Sequence, residues 1–415
     1  MRIRITCLVI VCATIAASTG LAADDRGTPW KRHTIDDSSR GADGVRLADV
    51  DGDGLLDIAT GWEEGGKIRV YRNPGPKKCK QLWPAVTVGN VRSPEDAVFV
   101  DLDRDGAFDV VSSCEGRNRT MFVYWAPCEK GQYLSEKHWT TEAIPASKGK
   151  RSWMFSLPMQ VDGRGGVDLV AAAKGNDAEI GWFESPQDPR KLADWKWHPI
   201  YKAGWIMSLF ARDMDGDGDL DLLTTDRKGA NRGCRWLENP GPGDAQKQLW
   251  KSHLIGGADR EVMFMTPTDL DRDGRLDVLA AVRGGDLLFM RQRPADVIPR
   301  ETASISWDSH TIRMPAETGT GKGVAVADID LNGTLDVVFS CENARGQSGI
   351  VWLSRGDSSP ATSANWSAHE ISGKKQGVKF DRIELVDFDG DGDFDVLTCE
   401  ERDNLGVVWY ENPHK

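Results

Sequence analysis

One nine-residue motif, Asp-x-Asp-x-Asp-Gly-x-x-Asp, constrains the fold of this chain more than any other feature. It starts at Asp49, Asp101, Asp213, Asp269, Asp328 and Asp387, with a degenerate copy at Gln160, and successive starts lie 52, 59, 53, 56, 59 and 59 residues apart. Self-similarity at that period means stacked supersecondary units, each unable to bury its apolar face alone. In 415 residues, nothing of comparable length remains for another domain.

Two further motifs run in phase. Trp-x-x-His-x-Ile occurs at Trp30/His33/Ile35, Trp195/His198/Ile200, Trp250/His253/Ile255, Trp307/His310/Ile312 and Trp366/His369/Ile371, with copies lacking the His at 83–88 and 139–144. An apolar strand with an aromatic and Asn-Pro closes several units, as in Trp236-Leu237-Glu238-Asn239-Pro240 and Trp409-Tyr410-Glu411-Asn412-Pro413. Each unit therefore reads as four short strands, two of them flanking the acidic loop (45–48 and 56–60 in the first). That is the pattern of a propeller blade, and the fold class is all-β with seven blades. A solenoid would need polar capping units, and neither end supplies one. The chain opens on a fourth-strand motif and ends on a third-strand motif, so its N-terminal strand is predicted to complete the last blade and close the ring.

Repetition at fixed offsets points to cation sites, because four carboxylates and the position-seven carbonyl surround one point, and Gly at position six permits a sharp turn. Five sets are complete: Asp49, Asp51, Asp53 and Asp57; Asp101, Asp103, Asp105 and Asp109; Asp213, Asp215, Asp217 and Asp221; Asp269, Asp271, Asp273 and Asp277; Asp387, Asp389, Asp391 and Asp395. A sixth, Asp328, Asp330, Asn332 and Asp336, keeps an oxygen at every place. Hard oxygen donors suit Ca²⁺, about six structural ions in all. The third loop, Gln160, Asp162, Arg164 and Asp168, is expected to be empty, with the Arg164 charge replacing the ion. An EF-hand is rejected: position 12 lacks its Glu, and a strand-like run follows.

These loops resemble FG-GAP/VCBS repeats, the calcium-binding blades of integrin-α-type propellers and many exported bacterial proteins. The Trp-x-x-His-x-Ile and Trp-Tyr-Glu-Asn-Pro motifs are similar to the propeller part of the aldos-2-ulose dehydratase family. This chain has no room for that family's cupin domains, so no activity is carried over. The first resemblance implies calcium and a propeller but no particular function, since the fold hosts lectins, adhesins, lyases and scaffolds.

Residues 1–23 read as a signal peptide: Arg2 and Arg4, an apolar run over 5–17, then small residues at 20–23. Residues 24–415 are then a single exported propeller, periplasmic or secreted, with no further membrane insertion. Cys114, Cys341 and Cys399 recur at similar repeat positions, which favours buried thiols, although pairing among the cysteines stays open. The formal net charge of −12 argues against a nucleic-acid partner; without Arg2 and Arg4 it is −14, of which six divalent ions would offset all but about −2.

A ligand is expected on the face opposite the acidic loops, where side chains vary from blade to blade. Nine residues before each loop stand Arg40, Arg92, Arg151 and Arg260; six before stand Asp43, Glu95, Lys322 and Asp381, or Met154, Met207 and Met263. Trp153, Trp205 and Arg382 lie nearby, and the following loops add Glu63, Glu115, Lys174, Arg227, Arg283, Glu342, Glu400 and Arg402. Arg40, Arg92, Arg151, Trp153, Trp205, Arg260, Lys322 and Arg382 are the ligand-binding candidates, because guanidinium forks and indoles suit an acidic glycan, or else an extracellular protein. The competing expectation is a salt-bridge network around the channel. An alternative function is a carbohydrate lyase or dehydratase acting on an acidic or keto sugar, with Tyr201 and Lys202 as acid/base candidates. The repeated His residues fall on an outer strand in different blades and are expected to be structural.

Overall fold

The computed structural model describes residues 26–294, 305–356 and 359–414. The 1–23 segment, with Cys7 and Cys12, lies outside them. Seven four-stranded antiparallel sheets form a ring, and among the described residues there is no α-helix, hence none long and apolar enough to cross a membrane. The first blade runs Ala42–Ala48, Asp57–Trp62, Lys67–Tyr71 and Ala85–Asn90, and the next five follow the same order. The last blade is built from both ends of the chain. Glu384–Val386, Asp395–Glu400 and Gly406–Glu411 are joined by Lys31–Asp36, which pairs with the third strand from Lys31–Glu411 to Asp36–Val407. The predicted closure is observed.

Sequence period explains which strands go where. Second strands such as Asp57–Trp62, Asp221–Asp226 and Asp277–Val282 are buried at every position, because both faces pack against neighbouring blades. The conserved spacing of Trp and His also has a physical reason. In each of three blades the fourth-strand His stacks on the third-strand Trp, with ring centroids 4.5 Å apart for His33–Trp409, 3.9 Å for His253–Trp236 and 3.9 Å for His369–Trp352. A ring nitrogen meets the Glu two places after the third-strand Trp: His33 to Glu411 at 2.6 Å and His253 to Glu238 at 2.6 Å, both in Trp-x-Glu-Asn-Pro, and His198 to Glu184 at 2.7 Å in Trp-Phe-Glu-Ser-Pro. The histidines are thus spread around the rim and structural. All six described cysteines are free thiols; five are buried and Cys128 is exposed.

First strands carry one irregularity that matters for function. Their register against the second strand slips between Asp43 and Arg46, Pro94 and Asp96, Trp153 and Phe155, Ile206 and Ser208, Val262 and Met265, and Gly321 and Val324. Such a bulge leaves an extra residue unpaired and re-aims its side chain. In five of the six the extra residues include the one six places before the acidic loop; in the first blade Asp43 still pairs with Gly61 and borders the slip.

The rim pairs set an acid response. Burial pushes the Glu411 carboxyl up, but hydrogen bonds from Lys80 and His33 and the Lys80 and Lys31 charges outweigh it and bring it to about 2. Between that value and an ordinary glutamate near 4.5, the unfolded chain binds the proton more readily than the fold. This contribution is therefore complete above the ordinary value and fades as pH falls toward 2. Thermal melting followed from pH 6 to pH 3 is expected to decline less steeply in Glu411→Gln than in the parent; parallel declines would refute the assignment.

Candidate functional site

Two faces carry side chains with chemistry. On the first, the acidic loops are shaped before any ion is considered. The position-one carboxylate accepts backbone N–H groups across its own turn: Gly52 (2.8 Å) and Gly54 (2.9 Å) on Asp49, Gly216 (2.7 Å) and Gly218 (3.1 Å) on Asp213, Gly390 (2.7 Å) and Gly392 (3.0 Å) on Asp387. The position-six glycines of the six acidic loops have φ between +82° and +97°, a region other residues enter only with strain.

The position-nine carboxylate is buried and joins two strands. Asp57 accepts from Val50 (3.1 Å) and from Asn73 at the end of the third strand (2.8 Å); Asp109, Asp221 and Asp395 repeat the arrangement. Burial raises these carboxyls, Asp57 to about 6 and Asp109, Asp221 and Asp395 to about 7, against the lowering effect of the N–H donors.

The remaining oxygens fit a hard cation. One oxygen from each of Asp49, Asp51 and Asp53 lies within 4.8 Å of the other two, and the same holds for Asp101, Asp103 and Asp109 and for Asp213, Asp215 and Asp221. Asp277 Oδ2, Asp328 Oδ1 and Asp336 Oδ1 are buried without a hydrogen-bond donor. Basic side chains partly neutralise some loops: Arg72 reaches Asp51, Arg190 reaches Asp103, Arg291 reaches Asp271, and Lys80 lies 2.9 Å from Asp389. The loops starting at Asp213 and Asp328 have no such ion pair among the described residues.

The centre of the degenerate loop is filled by Gln160 rather than by the Arg164 charge expected there. Gln160 Nε2 donates to the carbonyls of Arg164 (3.0 Å) and Gly166 (2.5 Å), the latter being the position-seven carbonyl, while its Oε1 accepts from Gly163 (3.0 Å). Arg104 of the adjacent loop also donates to Gly165. The Arg164 side chain is exposed. An uncharged amide, with N–H groups aimed where a cation would draw oxygen, is the substitute.

On the opposite face a cavity of about 550 Å³ opens on the ring axis. The residues six places before the loops line it, one per blade: Asp43, Glu95, Lys322 and Asp381, completed by Met154, Met207 and Met263. A second ring stands fourteen residues after each loop start: Glu63, Glu115 and Glu342 with Lys174, Arg227 and Arg283 line the same cavity. Its seventh member, Glu401, lies behind Lys322 at 3.1 Å. Sequence reading chose the neighbouring Glu400, whose carboxylate instead accepts N–H groups of Val378 and Lys379 (3.0 Å each) and holds the loop. The fixed fourteen-residue offset could have found Glu401.

The other candidates divide by position. Trp205 and Lys322 line the cavity; the Asp226 carboxylate holds Trp205 there by accepting its N–H at 2.8 Å. Arg40, Arg92 and Arg260 are exposed outside it, because they precede the bulge. Arg151 pairs with Glu179 in a separate surface notch beside Lys202. Trp153 is wholly buried between blades, which removes it as a stacking platform. Arg382 is buried deeper in the channel over Phe264, 5.5 Å from the ring centroid, where burial and then Arg46 lower its guanidinium to about 10. Tyr201 is buried on an outer strand and donates its hydroxyl to the Asn231 carbonyl (3.2 Å), so it and Lys202 face away from the cavity. The expected salt-bridge network is present in part, as Lys174–Glu95 (3.1 Å) and Lys322–Asp381 (3.2 Å).

Comparison with known proteins agrees with this architecture. The FG-GAP-like repeat profile matches residues 49–112 and 160–224. No curated protein matches the chain in sequence. Among solved structures, the BBS1 N-terminal region in complex with ARL6 is similar over 92% of this chain and 97% of that one, at 9% identity and a TM-score of 0.53. The Myceliophteria thermophila Cps50 (Swd1) β-propeller domain is similar over 91% and 98%, at 12% identity and a TM-score of 0.54. At these identities the likeness is one of fold.

The position-nine aspartates give a direct check. In the degenerate loop Asp168 still accepts from Val161 (2.9 Å) and Ser185 (2.8 Å). Asp168→Ala strands both buried donors and is expected to cost about 2–4 kcal/mol in urea unfolding. Because Gln160 fills that loop, the loss should be equal with and without EDTA; a loss present only with calcium would refute the amide substitution.

Proposed function

With FG-GAP-like repeats wound into a closed seven-bladed ring, we propose that this chain is a calcium-loaded, exported binding module that receives its ligand in the axial cavity opposite the acidic loops. The observation that carries this reading is the contrast between the two faces. The acidic loops repeat the same side chains blade after blade, as a structural device does. The cavity takes its lining from equivalent positions of all seven blades yet fills them with acids, bases and methionines, which is what selective recognition requires.

A protein ligand fits better than a glycan. A sugar needs an open aromatic face, but Trp153 is buried and the Trp205 ring is surrounded by Lys174 (4.9 Å), Arg227 (4.6 Å) and Lys228 (4.8 Å). Methionines adapt to irregular apolar segments and are common on surfaces that bind polypeptides. The lyase alternative loses its acid/base pair, since Tyr201 and Lys202 lie elsewhere.

Calcium bound only by the fold stabilises it by mass action, about 2.7 kcal/mol per site at a hundredfold excess over Kd. Calcium should therefore raise the melting temperature and EDTA lower it. Asp213→Ala should remove more of that increment than Asp103→Ala, because Arg190 already neutralises Asp103. Equal melting with calcium and EDTA would contradict the metal reading. For the cavity, Met207→Trp fills the apolar side; screening parent and variant on panels of extracellular proteins and glycans should show protein binding lost in the variant. Binding undiminished by the filled cavity would sink the site.

A further inference from the structure

The cavity is chemically two-sided. Blades seven, one and two supply six carboxyl groups, and blades three to five supply Met154, Met207 and Met263. Lysines fill part of the acidic side in a regular way. Lys322 Nζ lies 3.2 Å from Asp381 and 3.1 Å from Glu401, Lys379 also meets Glu401, and Lys174 bridges Glu95 (3.1 Å) and Glu115. The pocket thus holds ammonium groups between carboxylates from adjoining strands and loops.

Between these two clusters the pattern has a gap. Glu63 places an oxygen within 4.8 Å of Asp43 and Glu401 on one side, and of Glu95 and Glu115 on the other. It makes no ion pair with any described basic residue. Asp43 is only 7% exposed, lines the cavity, and has another carboxyl, that of Asp381, as its polar neighbour. Bases elsewhere on the wall balance the acids across the whole cavity. On this side, however, Glu95, Glu115, Asp381 and Glu401 each pair with a lysine while Glu63 and Asp43 do not, so the unmet negative charge centres on these two. Burying such charge without a partner is costly, and burial together with Glu401 and Asp381 raises the Asp43 carboxyl accordingly.

We propose that a primary ammonium from the ligand occupies this gap, and that its aliphatic stem crosses to the methionine side: the ligand presents a lysine side chain of a polypeptide. A divalent metal suits the gap less well, because lysine ammoniums already touch Glu401, Glu95 and Glu115 and would repel it; a single positive charge repeats what the pocket does with its own lysines. At the mouth, Lys228, Arg283 and Arg402 line the opening. Acidic residues flanking the lysine would meet them. The inference rests on the axial-cavity reading of function, and deepens it to one side chain.

The test is fluorescence anisotropy on the full chain with a labelled nine-residue peptide carrying one central lysine flanked by aspartates. The same peptide with norleucine removes only the ammonium. The lysine peptide is expected to bind at least tenfold more tightly than the norleucine peptide. Glu63→Gln and Asp43→Asn should each weaken it at least tenfold, with melting temperatures at or above that of the parent. Equal binding of the two peptides, or no effect of Glu63→Gln in a folded variant, overturns the ammonium seat. So does Mn²⁺ competing with the lysine peptide stoichiometrically, which would assign the gap to a metal. If neither peptide binds while Met207→Trp still abolishes capture of a panel protein, the seat falls and the cavity reading stands. Lysine-peptide binding that survives Met207→Trp overturns both.

Discussion

A buried position-nine carboxylate that accepts backbone N–H groups, two in five blades and one at Asp277 and Asp336, is the interaction on which the blades depend. Asp57, Asp109, Asp168, Asp221 and Asp395 each fasten the start of an acidic loop to the end of the third strand. Without that carboxylate, the turn between the first two strands and the exit from the third would each bury an unpaired donor. Asp168 keeps the role although its loop has Gln160 and Arg164 in place of two aspartates. The motif therefore combines a backbone clasp, complete in five blades and single at Asp277 and Asp336, with a cradle of carboxylates whose centre one blade fills with an amide.

The clasp also explains why the two faces diverged. With the hairpin held by main-chain contacts, the acidic face has little freedom, since its positions one, three, five and nine are each committed. Across the blade, the residue six places before the loop has no ladder partner to satisfy in five blades, and precedes the strand or borders a slip in the other two. Its side chain can be Asp, Glu, Lys or Met with the surrounding sheet unchanged, and all four occur around the cavity. Structural uniformity on one side and chemical variety on the other follow from the same hydrogen-bond geometry.

Architecture was legible in the sequence because repetition multiplies weak signals: seven copies of one pattern, in phase with Trp-x-x-His-x-Ile, leave little room for a second topology. Ring closure followed from the phase mismatch at the ends. The cavity was legible only in part. Spacing alone places the arginines nine before the loop and the residues six before it on one face, whereas the arginines precede the first strands and, of the two sets, only the residues six before line the cavity. Trp153 illustrates a second limit, because a tryptophan next to an inner strand can face either the channel or the neighbouring blade, and packing between sheets decides. Glu400 and Glu401 illustrate a third: adjacent glutamates divide into a loop brace and a cavity charge according to which backbone N–H groups lie within reach.

The strand pairing between Lys31–Asp36 and Gly406–Glu411 has a kinetic consequence. His33 and Glu411 are 378 positions apart, so the contact that locks the ring is among the most distant the chain can make. Loop-closure entropy must be met before that pairing returns any free energy. During synthesis six blades can assemble in order behind the growing end, while the strand made first has no place to dock until the chain is finished. Pairing of these two distant strands, rather than collapse of the parts, is the event that makes this ring a single cooperative body.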